Sequence, residues 1–133
     1  METAEFEFRG DHLFGELGGL SLAVLDDVSF LTQVLERAVP KGHATLRKIV
    51  HEKFEPHGVT VIAVLSESHA SFHTFPETGE MFIDVFTCGH CDPELVFKGI
   101  VAQLKPSYST YKQIVRERPH GLQRNHEFSE SET

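Results

Sequence analysis

The tripeptide Ser-Glu-Ser occurs twice in this chain, at 66–68 and at 129–131. A serine held in a strained, well-framed turn can direct its hydroxyl at the preceding carbonyl and exchange the amide for an ester, whereas a serine in a loose segment has no reason to do so. The first copy falls between two strand-like runs, so Glu67 and Ser68 occupy a tight turn; the second lies in the polar stretch "HEFSESET". Local pattern alone favours turn serines that bond to nearby backbone. The neighbouring histidines and thiols suggest a different chemistry. "CGHC" (88–91) places His90 inside a Cys-x-x-Cys, a spacing that can ligate zinc, so a non-enzymatic zinc module using His69, His73, Cys88, His90 and Cys91 is one reading. Against it, His69 and His73 on a strand lie about 13 Å apart, and no second Cys-x-x-Cys is present.

The elements that would position these residues follow from periodicity. "DHLFGELGG" (11–19) predicts a short strand ending in glycines. Phe30, Leu31, Val34, Leu35 and Ala38 repeat at helical spacing, with Asp26 and Asp27 placed to cap and Pro40 and Gly42 to stop, which predicts a helix over 27–39. Residues 44–54 read as β, and "VTVIAVLS" (59–66) as a well-buried strand. In 69–75 the alternation puts His69, Ser71, His73 and Phe75 on one face and Ala70, Phe72 and Thr74 on the other. "PETG" turns the chain into 80–88, where Phe82, Asp84, Phe86 and Cys88 share a face. Asp92 and Pro93 form an N-cap and first helical position for a second helix, whose buried side is Phe97, Ile100, Val101 and Leu104. A last strand spans 108–118. Hairpin-linked strands and two helices predict an α+β two-layer sandwich: a largely antiparallel sheet covered on one face by two helices.

Size and charge set the bounds. The chain has 133 residues, 40% of them hydrophobic, which suits one core and is short for two domains, so 1–118 reads as a single domain and 119–133 as a polar, flexible tail. A net charge of -8 disfavours nucleic acid and anionic membrane, both of which are bound by neutralising phosphates, and suits small cationic ligands better. No apolar run approaches the roughly 20 residues that span a bilayer. The acidic start "METAEFEFRG" is unlike a secretory signal, so a cytoplasmic location is expected. Two cysteines so close in sequence, Cys88 and Cys91, read as reduced thiols.

The string "SESHASFHTFPETGEMFIDVFTCG" (66–89) resembles the prokaryotic S-adenosylmethionine decarboxylases, whose signature is Ser-Glu-Ser-His, then His-Thr-aromatic-Pro-Glu, then an acidic residue and Phe-Thr-Cys-Gly. "GDHL" near the start and "FEPHGVT" extend the resemblance over roughly 11–118. It implies a self-processing enzyme of polyamine synthesis. Ser68 would attack the carbonyl of Glu67, elimination would cut the chain into 1–67 and 68–133, and hydrolysis of the dehydroalanine would leave a pyruvoyl group, the only cofactor needed. That ketone would form a Schiff base with the substrate amine and act as electron sink as carbon dioxide leaves.

The resemblance also implies the other roles. His73 would take the Ser68 α-proton, Cys88 would reprotonate the substrate carbon, and Thr60 would supply a processing hydroxyl where the family generally has serine. Its extra methyl restricts the rotamer. Phe54 and Phe75 would sandwich adenine, Phe75 standing where Trp is frequent, and Glu77 would accept from the ribose hydroxyls; no resident metal is implied. Phe54 is expected from the partner subunit of a homodimer. The same chemistry could serve arginine or ornithine, since the processing motif specifies the reaction better than the substrate.

Overall fold

The structure is a computed structural model that describes residues 7–120. The second Ser-Glu-Ser and most of the predicted tail lie outside the described residues. The elements are β1 (Arg9–Gly18), α1 (Leu22–Leu25), α2 (Val28–Ala38) running into a 3-10 turn (Val39–Gly42), β2 (Leu46–Lys53), β3 (Val59–Leu65), β4 (Ser68–Phe75), β5 (Glu80–Cys88), α3 (Pro93–Leu104) and β6 (Tyr108–Glu117). They form the predicted two-layer α+β architecture. One sheet of order β2-β3-β4-β5-β1-β6, antiparallel at every pairing, carries the helices on one side.

Strand alternation sorts the residues between the two sides. Leu13 and Leu17 of β1, Val59, Val61, Ala63 and Leu65 of β3, Ala70, Phe72 and Thr74 of β4, and Met81, Ile83 and Val85 of β5 are buried. They meet Leu31, Val34 and Leu35 of α2 and Val96, Phe97 and Ile100 of α3 in one core. Among the described residues no helix covers the opposite face, which carries the faces predicted for β4 and β5, with Thr60, Ile62 and Val64 of β3 and His12 and Phe14 of β1 beside them. The two long helices each start where a carboxylate can accept from the first turn: Asp27 accepts from Phe30 N at 3.0 Å, and Asp92 from Glu94 N at 2.9 Å. Among the described residues, no helix is long and apolar enough to cross a membrane.

Three details depart from the predicted elements. Pro40 does not end α2 abruptly; it sits inside the 3-10 turn, where its missing N–H is not needed. A helical turn, α1, precedes α2, because Ser21 accepts from Val24 N at 3.2 Å. Asp26 then follows α1 as its C-cap residue instead of capping α2, and its carboxylate turns to the loop between β2 and β3. Glycine in β1 serves close packing as well as ending the strand. A Cβ at Gly15 would lie 2.5 Å from Thr110 O and 2.8 Å from the Phe97 ring, so its absence lets β6 and α3 close on β1.

The two layers are also joined by a buried hydroxyl. Thr74 is 1% exposed; it accepts from Val59 N at 3.0 Å and donates to Leu25 O at 2.7 Å, tying β4 to both β3 and α1. Thr74→Val keeps the shape and orphans both backbone groups. It should cost about 1–3 kcal/mol, measured as the change in unfolding free energy in denaturant titrations at unchanged slope.

Candidate active site

Ser68 opens β4 directly after a two-residue connection. Leu65 pairs with Ser68 across the hairpin, leaving Ser66 and Glu67 as its loop. Only Glu67 of the two is left-handed, at φ 65°, so the turn is neither of the two types that match strand twist. An L-residue with a Cβ in that region is strained by about 1–2 kcal/mol. The hairpin tip is held, since Ser66 N donates to Thr45 O at 3.0 Å. Ser68 Oγ reaches back across Glu67 to donate to Ser66 O at 3.4 Å. The strained residue is thus the one whose carbonyl precedes the candidate nucleophile.

The end of β5 lies beside this turn. Because His69 pairs with Phe86, Ser68 is level with Thr87, one residue from Cys88. Burial pushes the Cys91 thiol up from its ordinary value, and the nearness of Cys88 and then of Glu67 adds to the shift, so the three share one neighbourhood. Cys91 itself is engaged in the loop: its Sγ donates to His43 O at 3.3 Å, and its carbonyl accepts from Thr87 Oγ1 at 3.3 Å. A cavity of about 430 Å³ opens here on the uncovered face, lined by Gly10, His69, Phe86, Cys88 and Arg116 among others, with the Arg116 guanidinium 5.1 Å above the Phe86 ring. Among the described residues, no three His, Cys, Asp or Glu side chains are grouped so as to hold a metal ion.

A second cluster occupies the other end of β4. Thr60 pairs with His73 across the β3–β4 ladder, and Thr60 Oγ1 lies 2.6 Å from His73 Nδ1. The His73 ring sits edge-on to Phe75 at 4.8 Å and to Phe54 at 5.7 Å between centroids. Both phenylalanines are exposed, at 41% and 39%, so they are not core aromatics. Glu77 is exposed in the turn after Phe75, a turn closed by Gly79 N donating to Phe75 O at 3.0 Å. Next to it, a cavity of about 290 Å³ is lined by Phe75, Phe82 and Tyr108 with the acids Glu16 and Glu80.

Sequence-predicted residues therefore fall into two groups. Glu67, Ser68 and Cys88 lie at one end of the β4–β5 ladder, where Ser68 has the helix-side parity of Ala70 and Phe72 and Cys88 the open-face parity of Phe86, and Thr60, His73, Phe54, Phe75 and Glu77 lie at the other. Five residues of extended chain separate Ser68 from His73, about 16 Å, so within one chain the structure does not bring them together. Between the groups, His12 Nε2 lies 2.5 Å from Asp84 Oδ1, an ion pair when His12 is protonated. Sequence reasoning missed this pair. Both residues stood in motifs already singled out, "GDHL" and the strand 80–88, but alternation gives each residue a face and not a partner strand 72 residues away.

Comparison with known proteins bears on the same features. Residues 11–117 match the family model described as S-adenosylmethionine decarboxylase. The S-adenosylmethionine decarboxylase proenzyme 2 of Bacillus cereus is 38% identical over 113 residues, covering 84% of this chain and 92% of its own. The S-adenosylmethionine decarboxylase proenzyme of Pyrobaculum aerophilum is 44% identical over 99 residues, 73% of this chain and 79% of its own. The crystal structure of the adenosylmethionine decarboxylase from Aquifex aeolicus superposes with a TM-score of 0.71 at 31% identity, covering 93% of this chain and all (100%) of that one. Fold and matches together define the class, an α+β decarboxylase of two layers. The chain belongs to the S-adenosylmethionine decarboxylase family.

The strain at Glu67 can be measured directly. In a Ser68→Ala background, which keeps the chain whole, Glu67→Gly should raise unfolding free energy by up to about 1 kcal/mol, the left-handed penalty less the flexibility that glycine adds to the unfolded chain.

Proposed function

We propose that this chain is a proenzyme that cuts itself between Glu67 and Ser68 and then decarboxylates S-adenosylmethionine, yielding an aminopropyl donor for polyamine synthesis. The observation that carries the proposal is the left-handed Glu67 immediately before Ser68, beside Cys88, in a chain of this family. Attack by Ser68 Oγ on the Glu67 carbonyl carbon gives an ester and frees the amine of residue 68. Removal of the Ser68 α-proton breaks the ester C–O bond, leaving Glu67 as a carboxylate. Hydrolysis of the resulting dehydroalanine releases ammonia and leaves a pyruvoyl group at the head of 68–133.

Two features support that outcome: the hairpin end is held by backbone, and His69, the residue after Ser68, lines a cavity together with the Cys88 thiol. When formed, the pyruvoyl group supplies the electron sink for loss of carbon dioxide. Cys88, which lines that cavity, would hold the proton that the substrate carbon then takes. Phe54 and Phe75 present exposed ring faces for a purine, and the exposed Glu77 carboxylate can accept from ribose hydroxyls; this set suits a nucleoside rather than arginine or ornithine. The single decarboxylase domain is assigned to 1–118. Two free thiols are in keeping with the reducing cytoplasm as its setting.

A homodimer, with the open sheet faces opposed, belongs to the same proposal. His73 is the candidate base for the α-proton, yet it lies about 16 Å along the strand from Ser68 of its own chain. A second copy laid antiparallel across this face would bring its Thr60–His73 pair, and its Phe54, to the first copy's Ser68. The face is apolar enough for such a contact: Ile62, Val64, Phe75 and Phe82 are 41%, 47%, 39% and 56% exposed.

Intact mass under denaturing conditions tests cleavage. The purified chain should give two fragments, the C-terminal one blocked at its N-terminus, while Ser68→Ala gives one full-length mass; persistence of a single mass in the unmodified chain would overturn the proposal. Co-expression tests the shared site. Neither Ser68→Ala nor His73→Ala chains should cleave alone, but in mixed dimers the His73→Ala chain should be cut by the histidine of its partner, and failure of this complementation would count against the opposed-face dimer.

A further inference from the structure

Asp26 was expected to cap a helix and instead forms the hub of a loop. Gly58 N donates to its Oδ1 at 2.9 Å, Lys53 Nζ lies 3.3 Å from the same oxygen, and His57 Nδ1 lies 3.1 Å from Oδ2. These three partners bracket the segment 53–58 that joins β2 to β3. The segment is closed internally as well: Phe54 N donates to Gly58 O at 2.8 Å, and Lys53 Nζ donates to Phe54 O at 2.9 Å. Glu55, the remaining charged group here, is 3.9 Å from Lys53 Nζ. Gly58 is at φ 124°, a conformation that side chains rarely adopt, so the loop path depends on that glycine and on what its N–H bonds to.

What the loop carries is Phe54, whose ring is 41% exposed and meets the His73 ring edge-on at 5.7 Å between centroids. Asp26 itself sits at the end of α1, and α1 is fastened to β4 through the Thr74 hydroxyl. A rigid path therefore runs from the core through α1 and Asp26 to the backbone on either side of Phe54. The Asp26 carboxyl is held at about 2, below its ordinary value, first by the Gly58 N–H and then by His57. It stays an anion, an acceptor for all three donors, across the pH range in which an enzyme works.

We infer that Asp26 is a positioning residue for the substrate: by clamping the 53–58 loop it holds the Phe54 ring at the angle needed for stacking, without touching the substrate itself. The inference rests on the reading of Phe54 as a substrate-stacking residue. Holding one loop in its bound conformation lowers the ordering cost of binding, so its loss appears in KM before kcat.

The test is a double-mutant cycle on fully cleaved protein, with S-adenosylmethionine as substrate. Asp26→Ala should raise KM roughly five-fold with kcat little changed, and the effect should vanish in a Phe54→Ala background, since the clamp acts through that ring. Asp26→Asn keeps an oxygen for the Gly58 N–H and should recover most of the lost KM; if Asp26→Ala does not fold, the Lys53→Ala/His57→Ala pair, which removes two of the three donors to Asp26, is measured in its place and should raise KM in the same Phe54-dependent way. Unchanged KM in both Asp26 variants, or equal KM effects of Asp26→Ala with and without Phe54, would overturn the inference while leaving Phe54 in place. Should Phe54→Ala alone leave KM unchanged, the stacking role falls, and the clamp's proposed purpose falls with it.

Discussion

The register between β3 and β4 is the constraint on which the rest of the open face depends. A two-residue loop at Ser66–Glu67 sets Leu65 against Ser68, and from that pair the ladder runs without interruption to Thr60 against His73. Side chains alternate with period two, so a slip of one residue would carry His69, Ser71 and His73 into the core and expose Ala70, Phe72 and Thr74. The strain at Glu67 is borne inside this ladder. A left-handed glutamate persists because six consecutive pairs and the buried faces of both strands over-determine the turn. The hairpin is thereby both a tightly constrained connection and the proposed point of cleavage.

Helix packing has a narrower part in the chemistry. It buries one face of the sheet and so leaves the other, among the described residues, as a broad surface on which polar and aromatic residues gather. His12, Asp84, Ser71, Thr60 and His73 share that surface with Phe75, Phe82 and Phe86, a mixture costly to bury unless the polar members are paired. The His12–Asp84 and Thr60–His73 contacts meet that requirement in advance, at 2.5 and 2.6 Å. In the proposed dimer this face would bring exposed apolar residues to the contact together with polar residues that already have partners within the chain.

At the margin of the sheet, one carboxylate has been turned to a different use. Adjacent aspartates in "LDDV" look interchangeable as caps, and Asp27 does cap α2. Asp26 is one residue earlier, on the last turn of a helix too short to show a period, and its side chain faces the β2–β3 loop. Its three donors come from residues 27, 31 and 32 positions away: Lys53, His57 and Gly58. Local capping and long-range clamping thus stand side by side on neighbouring residues of identical type.

Sequence alone was enough for whatever depends on local period and local stereochemistry. The six strands and two long helices, the faces of β4 and β5 and the Asp27 and Asp92 caps could all be read from alternation, helical spacing and residue preference; the turn before β4 could too, except that it falls at Ser66–Glu67 and Ser68, expected within it, already pairs with Leu65. Motif resemblance pointed to the family and to a set of site residues. Pairing over long separations could not be read, because periodicity says which way a side chain faces and nothing about which strand will lie beside it. Tertiary structure alone therefore set Cys88 beside Ser68, joined Thr60 to His73 and His12 to Asp84, and turned Asp26 toward the loop. It also set Ser68 and His73, which the family resemblance linked in one step, at the two ends of β4: an extended strand advances about 3.3 Å per residue, so five residues carry one side chain far from the other within a chain.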